Sequence, residues 1–425
     1  MREAGLSMKL KALFISAGAV AFINIGAAIL NFGSNVLVSR LFGEGVYAHY
    51  SFITTLITIL STILTLGLGN YLLITLPKAQ AASWGRLVSS SNTLIVGFFL
   101  LAIFPIIIYL QREGYTGIPI ALVVFSLASL MASYIRQPVY YAWSRPIYYQ
   151  CVDKFIRVCV FVVSMILMNY VFNIEGLLLI LLSLSLSYSV PNVVFWLDGK
   201  KHRLDFFSLG KPLSFKEVGK TSKLFVILVT TTMLTNIDIL IMKNIASQEL
   251  LAYYSAAQKI SLVGNMFLMA LSGVATPAIV RFQAVMDTQL KGYVKYISLF
   301  GFVSLLLYLC AMLVFGKLLL SIFGKNFEAA YTALILLSVA IAISGFFGQT
   351  LTLMKVYGNF NAAIFYLLFA LFVKLILICL FYKLGVLTVV ACSTVSSVII
   401  WNSLCALHLY FRNGVSSSFF WSKGQ

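Results

Sequence analysis

Apolar runs long enough to cross a bilayer recur along the whole chain, and they constrain its fold more than any motif does. A hydrocarbon core about 30 Å thick is spanned by about 20 residues of helix. Twelve segments qualify: 12–36, 48–76, 89–110, 118–141, 155–172, 176–196, 222–242, 251–275, 296–315, 331–353, 361–382 and 386–410. Each run is continuous rather than alternating, which excludes a barrel of short strands with one polar face and leaves helices. With 61% hydrophobic and 10% charged residues and a mean hydropathy of +0.99, no soluble class remains. The first run follows Lys9 and Lys11 as a secretory leader would, but it is longer than a leader's apolar region and many more runs follow it, so it is expected to stay as a span.

The basic residues then orient the chain. Assigned to alternate sides of the membrane, 22 of the 30 Lys and Arg fall on one side and 6 on the other. By the positive-inside rule the first side, which holds both termini, is cytoplasmic. The net charge of +18 is mostly this topology signal, so nucleic acid is not an expected partner. The basic surface also suits anionic membrane lipid.

Besides Arg136, Arg157 and Lys223, assigned to the cytoplasmic ends of their spans, two basic residues, Lys259 and Lys374, and one acid, Asp238, lie inside predicted spans. Charges at a helix centre cost about 2.5 to 3.5 kcal/mol each on the insertion scale, about 8 to 10 kcal/mol for the three, so they must face protein or water. Asp238 and Lys259 sit near the outer ends of consecutive antiparallel spans, within reach of one another, while Lys243 follows Asp238 closely enough to compete. Such a pair is either a lock between two helices or part of the wall of an aqueous cavity. Lys374, with no acid on its own span, favours the cavity, because a lone ammonium near the membrane centre needs water or an anion. Asn24, Asn31 and Asn35 fall on one stripe of the first span, which ends at Arg40, and Asp153, Lys154 and Arg157 open the fifth span. Asn also holds helices together, so the stripe has two readings. The stretch "VYYAWSRPIYYQ" is either an aromatic belt anchored by Arg145 or a portal where sugar rings would stack.

The long polar segment 198–221 divides the chain into two six-span halves, 1–197 and 222–425. A short repeat supports the division: "YAHYS" at 47–51 lies over "LAYYS" at 251–255, and a basic residue, Arg40 or Lys243, precedes each copy. Six spans per half make the repeats parallel, related by a pseudo-twofold axis along the membrane normal, with a central cavity between them as the expected binding site. The fold expected is therefore an all-α integral membrane protein of twelve transmembrane helices in two six-helix bundles.

Catalysis finds little support. His49, His202 and His408 are scattered, no phosphate-binding glycine loop of the P-loop type occurs, and the spans hold no carboxylate pair. The six cysteines include no C-x-x-C pair and no neighbouring histidine ligands, so neither a disulfide framework nor a zinc site is expected. No cofactor is expected either.

With "SRLFGEGVYAHYSF", "LTLGLGNYLL", "NIDILIMKN" and "YYSAAQKI", the chain resembles the polysaccharide and O-antigen flippase branch of the multidrug/oligosaccharidyl-lipid/polysaccharide exporter superfamily. The resemblance covers essentially the whole chain. It implies a carrier, in the bacterial inner membrane, that moves an undecaprenyl-pyrophosphate-linked oligosaccharide to the periplasmic leaflet by alternating access. It also implies other polysaccharide-assembly membrane proteins as partners and coupling to a proton or a sodium ion. On that reading Lys259, Lys374, Arg40, Asn31, Asn35 and Arg157 bind substrate, and Asp238 serves as the ion-coupling or salt-bridging acid. A cation-coupled drug exporter of the same superfamily is the rival, and an O-antigen polymerase or ligase a more distant one. The drug exporter would need more acids than cations in its spans, and the polymerase a large outer loop.

Overall fold

The computed structural model describes residues 2–171, 176–214, 222–285 and 287–417, together with positions 217 and 219. Positions 215, 216, 218, 220 and 221 of the expected linker, 172–175 of an expected outer loop, and Lys423 lie outside the described residues. Every regular element among the described residues is helical: α1 (Arg2–Leu64), α2 (Leu68–Thr75), α3 (Trp84–Arg112), α4 (Ile118–Ala142), α5 (Pro146–Gln150), α6 (Arg157–Tyr170), α7 (Gly176–Lys201), α8 (Ser222–Ile245), α9 (Gln248–Val285), α10 (Asp287–Ser321), α11 (Tyr331–Phe347), α12 (Thr350–Val356), α13 (Phe360–Phe381) and α14 (Val386–Asn413).

Among the described residues nine helices are long and apolar enough to cross a membrane, against the twelve expected. Two of the differences are local. α1 comprises the first two expected spans as two helices that meet at a kink at Gly43, where φ of +79° is a conformation glycine adopts without strain. The fifth expected span is the 14-residue α6, which continues a helical stretch from Pro146 through a π-helical turn (Cys151–Ile156). Large apolar side chains on the outer faces, such as Leu101 (77% exposed) and Phe372 (60%), have no protein cover, as expected where lipid is the solvent.

The chain forms two compact units, one of residues 1–34 and 49–229, the other of residues 35–48 and 230–425. In the first unit α4 packs on α2, α3 and α7, and α6 packs on α7. The α4/α7 contact is a polar ladder. Ser126 and Ser185 hydroxyls lie 2.9 Å apart, those of Ser129 and Ser189 3.3 Å apart, and Asn192 donates to the Ser129 carbonyl at 2.7 Å. Between membrane helices, where burial of apolar surface gives no advantage over lipid, such hydrogen bonds and close small-residue packing hold the pair. Pro138 in α4 cannot donate to the Tyr134 carbonyl one turn earlier. Gly69 of α2 packs against that same carbonyl, so closely that a Cβ would come within 2.9 Å.

In the second unit α9, α10 and α11 pack together, and α14 packs on α11 and α13. Residues 35–48 are stitched into this unit at its α10/α11 connection. Glu44 accepts from Tyr253 at 2.8 Å and from Asn326 at 3.0 Å, and Ser39 donates to the Phe323 carbonyl. Tyr47 and Tyr253, one from each copy of the sequence repeat, both meet the ring of Phe327, at 6.0 and 5.0 Å.

Candidate functional site

The second unit buries an ion pair where four helices meet. Asp238 on α8 is 1% exposed and Lys374 on α13 is 0% exposed, with Lys374 Nζ 2.7 Å from Asp238 Oδ1. The same ammonium donates to the Leu234 carbonyl at 2.7 Å, one turn before Asp238. Asp238 Oδ2 accepts from the Tyr254 hydroxyl of α9 at 2.7 Å and from the Thr394 hydroxyl of α14 at 3.0 Å. Each charge is thus neutralised by the other, and each has further hydrogen bonds, the condition under which an ion pair survives burial.

This arrangement corrects the sequence reading. Asp238 pairs with Lys374, and neither Lys259 nor Lys243 takes that place. Lys374 is therefore not the uncompensated cation that was expected to require a wet cavity. The local pairing looked best along the chain, but consecutive helices present Tyr254, not Lys259, to the acid, and the ammonium arrives from α13, 136 positions away by residue number. Lys259 becomes the uncompensated one. It is half-buried on α9 and, among the described residues, has neither an ion-pair partner nor a hydrogen-bond acceptor.

Beside the pair lies a cavity of about 170 Å³ inside the second unit. Asp238, Thr235, Gln258, Ser261 and Asn265 face it from α8 and α9, and Thr394 and Ser397 from α14. Gln258, Ser261 and Asn265 stand at the three- and four-residue spacing that puts them on one face of α9. The volume and polarity suit a few water molecules, at roughly 30 Å³ each. The lining carries an acid and neutral polar groups, and neither Lys259 nor Lys374 contributes to it. Asp238 thus lies in the cavity wall with Lys374 on one carboxylate oxygen and the Tyr254 and Thr394 hydroxyls on the other.

The first unit gathers other predicted residues around the π-helical turn. Asp153 is 8% exposed and lies 3.9 Å from Arg157, whose guanidinium also sits 5.4 Å from the Tyr188 ring centroid. Lys154 donates to Asn24 at 2.8 Å. The extra residue of a π turn re-aims the side chains that follow, and such turns cluster at functional sites. No period in the sequence marks it. Asn35 is buried and Asn31 exposed.

Arg40, an expected substrate contact, donates to the carbonyls of Ser321 and Ile322 at 2.5 and 2.6 Å, closing the C-terminal end of α10. That is a favourable place for a cation, because the last carbonyls of a helix carry partial negative charge. Part of the aromatic stretch is packed inside the protein, while Ile147 and Tyr148 are exposed. Tyr140 is fully buried against Phe195 and Tyr149 and donates to Asp198 at 2.9 Å, and Arg145 pairs with His202. In the same connection, burial and then the Asp198 carboxylate raise the pKa of the Tyr148 phenol.

Helices of this length and exposure define a multi-pass membrane protein with buried charge in its spans, the general form of a transporter. The chain belongs to the polysaccharide biosynthesis protein family, whose profile matches residues 16–283. Its fold is that of transporters of the MOP superfamily. An inward-facing multidrug resistance MATE family transporter matches 91% of this chain and 94% of its own, with TM-score 0.70 and 14% identity. The lipid II flippase MurJ, in an inward closed conformation, matches 92% and 87%, with TM-score 0.70 and 12% identity. A eukaryotic MATE transporter, AtDTX14, matches 96% and 97%, with TM-score 0.66 and 13% identity. No curated protein matches the chain in sequence. The family and these neighbours are transporters and flippases, not enzymes.

Proposed function

We propose that this protein is a flippase. It carries an undecaprenyl-pyrophosphate-linked oligosaccharide, an O-antigen or related repeat unit, from the cytoplasmic to the periplasmic leaflet of a bacterial inner membrane by alternating access. Twelve spans in two six-helix bundles, 1–197 and 222–425, joined by the segment 198–221 and with both termini cytoplasmic, complete the reading. The observation that carries it is Lys259, a half-buried ammonium on a membrane helix with no counter-ion among the described residues. A cation so placed is stabilised by an anionic cargo and repels a cationic one. Membership of a polysaccharide biosynthesis family supports a glycan cargo, and the likeness to a lipid II flippase supports a lipid-linked one.

Lys259 and Arg157 are the residues proposed to meet the diphosphate, with Asn31 and Asn35 as polar contacts. Asp238 is the proposed coupling acid. A proton or sodium ion bound from the cavity side would compete with Lys374 for it, freeing that ammonium during part of the cycle.

In a host whose surface glycan depends on this protein, Lys259→Ala is expected to abolish display at normal protein level, and Lys374→Ala to impair it. Full display with both variants would sink the reading. The MATE likeness favours a second reading, a cation-coupled drug exporter. It requires that expression raise resistance to cationic drugs and that Lys259→Ala leave or improve that resistance.

A further inference from the structure

Arg136 is the largest fully buried side chain among the described residues, at 1% exposed, and it takes no part in the site above. None of its three guanidinium nitrogens has a hydrogen-bond acceptor among the described residues. The neighbouring polar groups donate elsewhere: Tyr140 to Asp198, Tyr149 to the Ser133 carbonyl, while Asp153 pairs with Arg157. What covers Arg136 is a pair of aromatic rings, Phe206 at 5.8 Å and Phe207 at 5.0 Å from the guanidinium carbon. Face-on aromatic attraction offsets only part of the hydration that a buried guanidinium gives up.

The covering rings belong to an irregular strap, residues 204–210, between the end of α7 and the rest of the polar segment. The strap is tied to α3 by two neutral side chains. Asn92 donates to the carbonyls of Phe206 and Ser208 at 2.8 and 3.1 Å, and Thr93 exchanges hydrogen bonds with Gly210 at 2.8 and 2.9 Å. Phe206 is 3% exposed and Phe207 is 55% exposed, so one of the two covering rings lies at the surface. Lys200, Lys201, Arg203 and Lys211 flank this strap in sequence on exposed positions, and outnumber the one acid within it, Asp205.

We infer that Arg136 is the floor of an anion-binding site for a phosphate or diphosphate group, closed in this structure by the Phe206–Phe207 strap. A guanidinium presents five N–H donors in a plane that matches two phosphate oxygens at once, and here all of them are uncommitted. Lifting the strap breaks four hydrogen bonds that water replaces, and it exposes a cation beneath a strap with basic flanks that concentrate anions. The anion arrives as the diphosphate of a lipid-linked cargo, as a phospholipid headgroup, or as free phosphate. Only the first source rests on the flippase reading; the site itself does not.

The test uses the purified full-length chain in neutral detergent, with radiolabelled inorganic pyrophosphate in equilibrium dialysis at constant ionic strength. Tryptophan emission provides a second signal, because Trp143 and Trp196 contact the two strap rings. Saturable binding is expected, weakened at least tenfold by Arg136→Gln, weakened less by Arg136→Lys, and unchanged or tightened by Phe207→Ala. Equal binding by the wild type and Arg136→Gln would overturn the site, as would no saturable binding to either the wild type or Phe207→Ala. Should Arg136→Gln fail to fold, Arg136→Lys and Phe207→Ala decide: both binding like the wild type would overturn the site. Nanodiscs of phosphatidylglycerol displace the pyrophosphate if a headgroup is the resident, and those of phosphatidylcholine do not. Anion binding that depends on Arg136 in a protein that moves no lipid-linked glycan would reject the flippase reading alone.

Discussion

Asp238 and Lys374 satisfy each other, and at the residue scale this makes them a structural unit before they are a functional one. Removing one partner of a buried ion pair leaves an uncompensated charge, at a cost of about 3 to 5 kcal/mol. Lys374→Met is therefore expected to destabilise the protein by roughly that amount in chemical denaturation, and Asp238→Asn combined with Lys374→Met to recover most of it. A single Lys374→Met as stable as the wild type would mean that the pair is not closed in the folded protein. Lys259→Ala is expected to have the opposite profile, with unchanged or raised thermal stability and lost transport, because its ammonium has no partner to strand. The sequence marked all three charges, since an ionisable group in an apolar run stands out against the bilayer. It did not show which lysine Asp238 takes. Proximity along the chain suggested Lys259 or Lys243, but the choice is made by packing between α8 and α13, which no local pattern records.

Helices were the most legible elements. Long apolar runs translate directly into α3, α4, α7, α13 and α14, because hydrocarbon forces each backbone to bond within itself. The departures occur where one residue changes the path. Gly43 kinks the chain between the first two expected spans, and a π turn over Cys151–Ile156 lies in the helical stretch that leads into α6, where Asp153 and Arg157 stand at i,i+4 spacing. No pattern in the sequence sets the serines of α4 and α7 apart from other small residues, yet they and Asn192 make the ladder between the two helices. Asn192→Ala is expected to cost about 0.6 kcal/mol and at most about 1.7 kcal/mol, the range for hydrogen bonds between membrane helices. Denaturation of the variant in mixed micelles measures it, and a larger loss would indicate that α6, which also packs on α7, moves with the ladder. Arg40 shows the same limit. Its position after the first span fitted a substrate contact, while its actual partners are two carbonyls at the end of α10, nearly 300 positions away by residue number.

For the whole molecule, composition and charge asymmetry led to a polytopic membrane protein, a resemblance carried by stretches such as "SRLFGEGVYAHYSF" led to the superfamily, and the family match and the fold agree with both. Composition says less about cargo. The cavity inside the second unit has an acid and neutral groups on its walls, whereas Lys259, a cation without a partner among the described residues, lies outside that lining. A flippase for an anionic lipid-linked glycan uses both features, the acid for coupling and the ammonium for cargo. In proteoliposomes, dissipating a proton or sodium gradient is therefore expected to slow transport by the wild type and to have no effect on an Asp238→Asn variant that retains residual transport. Equal slowing in both would place the coupling elsewhere. The most direct measurement is transbilayer movement of a fluorescent polyprenyl-diphosphate oligosaccharide in proteoliposomes. The wild type should move it, a folded Lys259→Ala variant should not, and a cationic drug should not compete. Movement unchanged in Lys259→Ala, or a wild type that moves the cationic drug and leaves the glycolipid in place, would contradict the account.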